Sequence, residues 1–237
     1  MGKVKLDTPM AIEERSEAEK AARDAIRAMR KSYGEIGLVD VDPDPIIQFQ
    51  NWLSEAANNS MVVEANAMVL STSTTESISS RTVLLKDVTS AGFTFFTNYQ
   101  SHKASEIAAN PQVALLFPWY AMERQVMIQG IASKVSAVES DDYFATRPWG
   151  SQIGAWASAQ STLLANRADL EERQAAFAAK YPEGSPVPRP EHWGGYIVAP
   201  TTIELWQGRY SRLHDRVRYI NTDSSTNGGW DIQRFYP

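Results

Sequence analysis

The chain has 237 residues, of which 43% are hydrophobic, and its formal net charge at pH 7 is −5. This charge argues against a general nucleic-acid binder, because such binding depends on clustered Lys and Arg that neutralise phosphates. The absence of cysteine excludes disulfides and thiolate metal sites and is compatible with a reducing cytoplasm. No apolar run is long enough to span a membrane. We therefore expect a cytoplasmic protein that binds neither nucleic acid nor membranes.

The first predicted elements are helices. Residues 1–28 are predicted to form a flexible or helical N-terminal extension with apolar residues at helical spacing. The sequence "DPDP" then predicts a helix over 45–59, with Asp44 as its N-cap and Pro45 at its first position. No Gly/Ser-rich or Pro-rich linker divides the remainder, so 29–237 is expected to form a single domain.

From residue 67 onwards, short segments rich in β-branched and aromatic residues alternate with turn signals, which predicts β-strands. The predicted strands cover 67–73, 79–87, 92–98, 112–119, 124–136, 194–200, 201–208 and 216–220. Several connections are too short for a crossover helix, so the sheet is expected to be largely antiparallel, and closure into a barrel would remove its exposed edges. Two helical stretches, 137–148 and 165–181, interrupt the series. The predicted class is mainly β with flanking helices (α+β).

Motifs of several common site chemistries are absent from the sequence. There is no G-x-G-x-x-G, Walker A, H-E-x-x-H or G-x-S-x-G motif, which argues against Rossmann nucleotide binding, zincins and α/β-hydrolases. The three histidines, at 102, 192 and 214, are widely spread, so no metal site is predicted.

The stretch "DDYFATRPWGSQ" is a candidate phosphate site. Tyr143, Arg147 and Ser151 recur at steps of four, which would place them on one face of a continuous helix. Because Pro148 cannot occupy a mid-helix position, we expect one helix to end near Arg147 and another to begin just after it, with free N–H groups that favour anions. From this stretch alone, an ordinary exposed helix end with one arginine is equally compatible.

Three other polar groups have alternative interpretations when each is taken alone. Arg81 and Lys86 in "SRTVLLKD" fit a cationic site, but they also fit solvated strand ends. Gln160 and a neighbouring serine can bind the rim of a heterocycle or cap a helix. Arg212 and His214 lie two apart, which predicts that they share one face of a strand, but His214 taken alone also fits a lone histidine satisfied in a barrel wall.

These stretches resemble, in order and spacing, the pyridoxine (pyridoxamine) 5′-phosphate oxidase family. The matching segments are "SRTVLLKD", "FFTNYQSHK", "NPQVALLFPW", "ERQVMIQG", "YFATRPWGSQIGAWASAQS", "WGGYIVAP", "IELWQG" and "RLHDR", within 29–237. The resemblance implies an FMN-binding split antiparallel β-barrel and a homodimer with FMN at the subunit interface. It also implies oxidation of pyridoxine 5′-phosphate and/or pyridoxamine 5′-phosphate by O2, giving pyridoxal 5′-phosphate and H2O2.

The resemblance also assigns residues to roles. The implied FMN site comprises Arg81, Thr82, Val83, Leu84, Leu85, Lys86, Phe96, Thr97, His102, Lys103, Gln125, Gln160, Ser161, Trp206 and Arg216, several of them from the partner subunit. The implied substrate site comprises Lys86, Tyr143, Arg147, Ser151, Arg212, His214, Arg30 and Tyr33. In this scheme Arg212 and His214 are the catalytic residues, which clamp the substrate ring against the flavin.

The sequence departs from the family pattern at His102, where the family usually has arginine. A titratable group there could make FMN binding weaker and pH-dependent. Two alternatives to the oxidase remain open. One is a related FMN split-barrel enzyme with another ring substrate, as in phenazine biosynthesis, and the other is a non-catalytic binder of flavin or pyridoxal phosphate.

Overall fold

The computed structural model of the chain describes residues 9–29, 32–222 and 229–237. The helices within these ranges are α1 (Pro9–Ala28), α2 (Pro45–Ala57), α3 (His102–Ala109), α4 (Ala137–Ala145), α5 (Trp149–Ala157) and α6 (Arg167–Lys180). The strands are β1 (Ala67–Ser73), β2 (Ile78–Leu84), β3 (Asp87–Thr89), β4 (Gly92–Asn98), β5 (Gln112–Trp119), β6 (Arg124–Lys134), β7 (Trp193–Gln207), β8 (Asp215–Asn221) and β9 (Trp230–Phe235). None of these helices is long and apolar enough to cross a membrane.

The described strands form one curled antiparallel sheet. Its main path runs β2-β1-β5-β6-β7-β4-β3, with β8 on β7 and β9 on β8. Only Leu85 and Lys86 separate β2, at one end of this path, from β3 at the other. The amide of Leu85 donates to the Asn66 carbonyl (2.9 Å) and that of Lys86 to the Thr94 carbonyl (2.8 Å), so the two ends meet. The predicted split antiparallel barrel with flanking helices is confirmed.

Helix α2 begins as the sequence predicts and covers one side of the core. The Asp44 carboxylate accepts from the amide of Ile46 (2.8 Å), which satisfies one of the free N–H groups at the helix start. The Phe49 ring is fully buried and packs edge-on against Phe93 (5.0 Å between centroids) and Phe117 (4.9 Å). Helix α2 is therefore joined to both β4 and β5 by aromatic contacts.

A second, smaller core supports the helices beside the sheet. It consists of Phe144, Ile153, Val187 and Trp193, which come from α4, α5, the loop after α6 and the first position of β7. This packing fixes α4 and α5 against the start of β7.

The predicted elements differ from those of the structure in several places. The predicted strand 79–87 ends at Leu84, because the next two residues cross between the sheet ends. The two strands predicted over 194–208 are one strand, β7. Helix α3 was not predicted, and neither was β9, an edge strand with mostly exposed side chains that lacks an alternating apolar pattern.

We expect Phe49→Ala to lower the free energy of unfolding by about 3–5 kcal/mol, because it leaves a cavity between α2 and the sheet. Denaturant titration at fixed protein concentration measures the loss. The control is Val63→Ala at a fully exposed side chain, which should change stability by less than about 0.5 kcal/mol. Similar losses for the two variants would contradict this description of the core.

Candidate functional site

One cleft of about 950 Å³ lies among β2, β4, α3, α4 and α5. The sequence-predicted residues that line it are Arg81, Thr82, Val83, Leu84, Lys86, Phe96, Thr97, His102, Lys103, Tyr143, Arg147, Ser151, Gln160 and Ser161. The predicted Leu85 does not line it, because its side chain is buried in the main core. The fold thus brings together residues from three separate stretches of sequence.

Arg147 lies between two helices, as the proline after it predicts. Helix α4 ends at Ala145 and α5 begins at Trp149, so Tyr143, Arg147 and Ser151 reach the same cleft without a continuous helix. The Arg147 guanidinium stands over the Trp193 ring at 4.6 Å. Burial lowers the pKa of Arg147, and Tyr143 nearby opposes this change. The group stays charged, because an arginine pKa lies far above neutral pH.

The Arg147 guanidinium has spare capacity to bind an anion. Its Nη1 atom is buried and has no hydrogen-bond partner. Within the described residues, no carboxylate lies at ion-pair distance from Arg147 or from Lys86. Buried donors are nearly always satisfied, so an arginine that lines a cleft with an unsatisfied N–H and no carboxylate partner is a candidate for binding an anionic ligand.

Lys103 bonds two other predicted residues, Thr97 and Gln160, in a second cationic group of the cleft. Its Nζ donates to Gln160 Oε1 (2.9 Å), Thr97 Oγ1 (3.1 Å) and Ser101 Oγ (3.3 Å). Burial lowers the pKa of Lys103, and the nearby Arg81 charge lowers it further. A bound anion would stabilise both cations.

Arg81 and His102 share a buried carboxylate that the sequence analysis missed. Glu106 in α3 lies 3.1 Å from Arg81 Nη2 and 3.6 Å from His102 Nε2, and it also accepts from the Thr72 and Ser79 hydroxyls. Burial alone would raise the pKa of Glu106, but the hydrogen bonds from Ser79 and Thr72 and the nearby His102 and Arg81 hold it below its ordinary value. The i,i+4 spacing of His102 and Glu106 was the available sequence signal.

A second group of predicted residues lies at the far end of β7. Gln125, Trp206 and Arg216 are direct partners across β6, β7 and β8, so their side chains share one face of the sheet. The Arg216 guanidinium donates to both Glu204 carboxylate oxygens, at 2.9 Å and 3.1 Å.

His214 packs in this second group between two aromatic rings. Its ring centroid lies 4.6 Å from that of Trp206 and 5.4 Å from that of Tyr33. The backbone amide of Arg209 donates to His214 Nδ1 at 3.0 Å, so Nδ1 carries no proton and the neutral ring bears its proton on Nε2. Burial lowers the pKa of His214, and the Arg212 charge adds to this effect. Both causes favour the neutral ring as a donor through Nε2.

The prediction that Arg212 and His214 share one face of a strand was wrong. Strand β7 ends at Gln207 and β8 begins at Asp215, and Arg212 lies in a short 3₁₀ turn at a φ of 63°. The amide of Gly208 donates to the Glu123 carbonyl and that of Tyr210 to the Gly34 carbonyl, which draws this segment away from the strand ladder. The alternating pattern belongs to two strands joined by this turn.

The two groups are far apart within one chain. Among the described residues, the cleft lining includes none of Tyr33, Gln125, Trp206, Arg212, His214 and Arg216. Trp193, in the cleft, and Trp206 are separated by thirteen residues of β7, or roughly 40 Å along the strand at about 3.3 Å per residue. The predicted Arg30 lies outside the described residues.

Comparisons with known proteins agree over nearly the whole chain. Residues 54–176 match the family described as pyridoxamine 5′-phosphate oxidase, and residues 193–237 match a pyridoxine 5′-phosphate oxidase C-terminal dimerisation region. A Ralstonia nicotianae protein named pyridoxine/pyridoxamine 5′-phosphate oxidase 1 is 50% identical over 216 residues, which are 90% of this chain and 99% of the relative. A Rubrobacter xylanophilus protein named pyridoxine/pyridoxamine 5′-phosphate oxidase is 50% identical over 91% of this chain and 98% of its own.

Solved structures share the fold. The crystal structure of PhzG from Burkholderia lata in complex with tetrahydrophenazine-1-carboxylic acid has a TM-score of 0.78 and 28% identity, covering 86% of this chain and 99% of that one. An FMN-binding protein from Nostoc punctiforme has a TM-score of 0.64 and 14% identity, covering 84% of this chain and 100% of that one, and shows likeness of fold alone.

We expect Glu106→Gln to destabilise the protein most above the ordinary carboxyl pKa. A carboxylate whose folded pKa is lowered stabilises the fold above its unfolded pKa, and this contribution is lost as pH falls through the folded pKa. The difference in unfolding free energy between the parent and Glu106→Gln should therefore shrink on acidification.

Chemical denaturation across the acid range measures this difference. The control is Glu139→Gln, which removes the exposed capping carboxylate of α4 and should cost less at every pH. A difference for Glu106→Gln that stays constant into strong acid would contradict an ionised Glu106 paired with Arg81.

Proposed function

Because the chain belongs to the pyridoxamine 5′-phosphate oxidase family, we propose that it oxidises pyridoxine 5′-phosphate and/or pyridoxamine 5′-phosphate. The products are pyridoxal 5′-phosphate and H2O2, with FMN as cofactor and O2 as electron acceptor. The observation that carries the proposal is the half-buried Arg147 guanidinium, which lines the cleft with Nη1 unsatisfied and without a carboxylate partner.

Four side chains are proposed to hold the substrate phosphate. Arg147 and Lys86 supply positive charge, and Tyr143 and Ser151 supply hydroxyl donors that line the same cleft. Guanidinium and hydroxyl donors match the several acceptor oxygens of a phosphate ester. Because the phosphate is remote from the reacting carbon, these contacts serve to bind and orient the substrate.

The rest of the cleft suits FMN. The whole cleft, with a volume of about 950 Å³, lies within the range of pockets that enclose small-molecule ligands. Arg81 and Lys103 are proposed to hold the FMN phosphate. Within the described part of the chain, the two cations have no hydrogen-bond partner in common. The exposed side of β2 would lie along the ring system. When bound, FMN supplies the redox chemistry by accepting hydride from the substrate and passing electrons to O2.

The second group is proposed to complete the site from a partner subunit. Roughly 40 Å of strand separates Trp206 from Trp193 at about 3.3 Å per residue, so one chain does not bring His214 to its own cleft. The second group lies within residues 193–237, apart from Tyr33 and Gln125, and this segment matches a dimerisation region. We therefore infer a homodimer with FMN and substrate between the subunits.

His214 and Arg212 are proposed to position the substrate ring. His214 presents Nε2–H, because its Nδ1 accepts from the Arg209 amide. Arg212 is exposed on the same turn, where its planar guanidinium could stack on a pyridine ring and donate hydrogen bonds. Both residues would orient the reacting carbon without taking part in covalent chemistry.

A related enzyme with another ring substrate is the competing proposal. It is favoured by the likeness to the Burkholderia lata structure, whose bound molecule carries a carboxylate. A carboxylate would also satisfy Arg147, but it has one fewer oxygen for the Tyr143 and Ser151 hydroxyls. A non-catalytic binder of the same ligands is the third proposal.

The deciding experiment is a visible spectrum of the FMN-loaded protein without oxygen, before and after addition of pyridoxine 5′-phosphate or pyridoxamine 5′-phosphate. The oxidase should bleach with at least one of them and recover in air with H2O2 release. A flavin band that neither compound reduces would contradict the proposed substrate. Turnover with peroxide release would exclude the non-catalytic binder.

We expect Arg147→Met to raise KM for the phosphorylated substrates by about 10- to 100-fold, because it removes charged hydrogen bonds to the phosphate. The value of kcat should change much less. The control is Arg173→Met, since Arg173 bonds the Ala157 carbonyl and does not line the cleft. An unchanged KM for Arg147→Met would remove this residue from the phosphate site.

We expect His214→Phe to lower kcat/KM by about tenfold or more, because one hydrogen bond to the reacting substrate is lost. Phenylalanine retains the ring contacts with Tyr33 and Trp206, so the Kd for FMN should be unchanged. Steady-state oxidation and an FMN titration provide the two measurements. Intact kcat/KM in this variant would contradict the positioning role.

A further inference from the structure

Three nearly parallel aromatic rings form one wall of the cleft, and we call Phe96, Tyr143 and Trp193 the aromatic shelf. The Phe96 ring stacks on Tyr143 at 4.1 Å and on Trp193 at 5.4 Å between centroids. Gly195 permits this arrangement, because a Cβ atom there would lie 2.8 Å from a Phe96 ring carbon. All three shelf residues line the cleft.

Both cations of the proposed phosphate site lie over this shelf. The Arg147 guanidinium carbon is 4.6 Å from the centroid of Trp193, and Lys86 Nζ is 6.0 Å from that of Tyr143. Phe144 adds a third ring at 5.6 Å from the Arg147 guanidinium. Cations at these distances are attracted to the negative face of an aromatic ring.

Other arginines of the chain are held differently. Arg81 pairs with Glu106 at 3.1 Å and Arg216 with Glu204 at 2.9 Å, and both carboxylates are buried. A carboxylate beside Arg147 would compete with an anionic ligand for the same N–H groups. An indole stabilises the cation without occupying those groups or cancelling their charge.

We propose that Trp193 is the positioning residue that makes this site selective for phosphorylated substrates. Its ring holds the Arg147 guanidinium towards the cleft and leaves the positive charge available to a phosphate dianion. This inference rests on the proposed function, because it takes the anion at Arg147 to be the substrate phosphate. Trp193 acts through Arg147 and not on the reacting atoms.

The test compares Trp193→Met, Trp193→Phe and the control Trp156→Met in FMN-loaded protein. Methionine fills much of the indole volume without a π face, and phenylalanine keeps a weaker one. Trp156 belongs to the same small core and also carries a cation, Lys180 at 5.8 Å, but it does not line the cleft. Trp156→Met therefore shows how far KM and Kd change when an indole is lost from this core away from the cleft.

Two measurements are made on each variant. The first is the KM and kcat for pyridoxine 5′-phosphate. The second is the Kd for pyridoxal 5′-phosphate and for pyridoxal, which differ by the phosphate alone, from titration of the FMN-loaded protein. The ratio of these two Kd values reports phosphate recognition and needs no turnover.

Trp193→Met should raise KM and the Kd for pyridoxal 5′-phosphate by about tenfold, with kcat within about twofold and the Kd for pyridoxal unchanged. Trp193→Phe should raise KM and the Kd for pyridoxal 5′-phosphate by a smaller factor. If the methionine variant does not fold, the phenylalanine variant provides the test. The inference fails if both Kd values rise by the same factor, or if Trp156→Met gives the same shift. If the parent protein binds pyridoxal 5′-phosphate more tightly than pyridoxal but oxidises no substrate, the proposed oxidase function is wrong. The proposed role of Trp193 in phosphate binding would still hold.

Discussion

The arrangement of the site depends on one long strand. β7 runs for fifteen residues and pairs with β4, β6 and β8. Its first residue, Trp193, forms part of the cleft, and near its other end Trp206 packs against His214. Because a paired strand is extended, the two groups of predicted site residues are held apart in each chain. Two copies related by symmetry are the simplest way to bring opposite ends together.

The chain holds its partly buried arginines in two ways, by carboxylate partners and by aromatic rings. Arg216 shares the buried Glu204 carboxylate with Arg218, which fixes the guanidinium and weakens its attraction for anions. Arg147 has aromatic neighbours and an unsatisfied nitrogen instead. An unsatisfied buried donor destabilises the free protein, and this lost stability is recovered when an anion accepts its hydrogen bond. The strongest anion preference is therefore expected at Arg147.

Much of the fold could be predicted from local patterns. The bounds of β1, β4 and β5, the N-cap at Asp44 and the helix break at Pro148 all follow from periodicity and backbone restrictions of single residues. Edge strand β9 could not be predicted in this way, because it has no buried face. The turn at Arg212 depends on hydrogen bonds to Gly34 and Glu123, which are remote in sequence.

Only part of the site could be grouped from the sequence. The spacing of Tyr143, Arg147 and Ser151 places them together without reference to any other protein. The remaining assignments came from the family resemblance, and neither route indicated Trp193 or Glu106 as supports. Their importance arises from tertiary contacts, which a single sequence does not encode as a local pattern.

The most direct test of the composite site is a hybrid dimer of one Arg147→Met chain and one His214→Phe chain, coexpressed with different tags and purified through both. If each site takes its cleft from one subunit and His214 from the other, one of the two sites is intact in every hybrid. At substrate concentrations far below the parent KM, where turnover follows kcat/KM, the account predicts about half of the parent turnover per dimer, well above either variant homodimer. Turnover no higher than in those homodimers would contradict it.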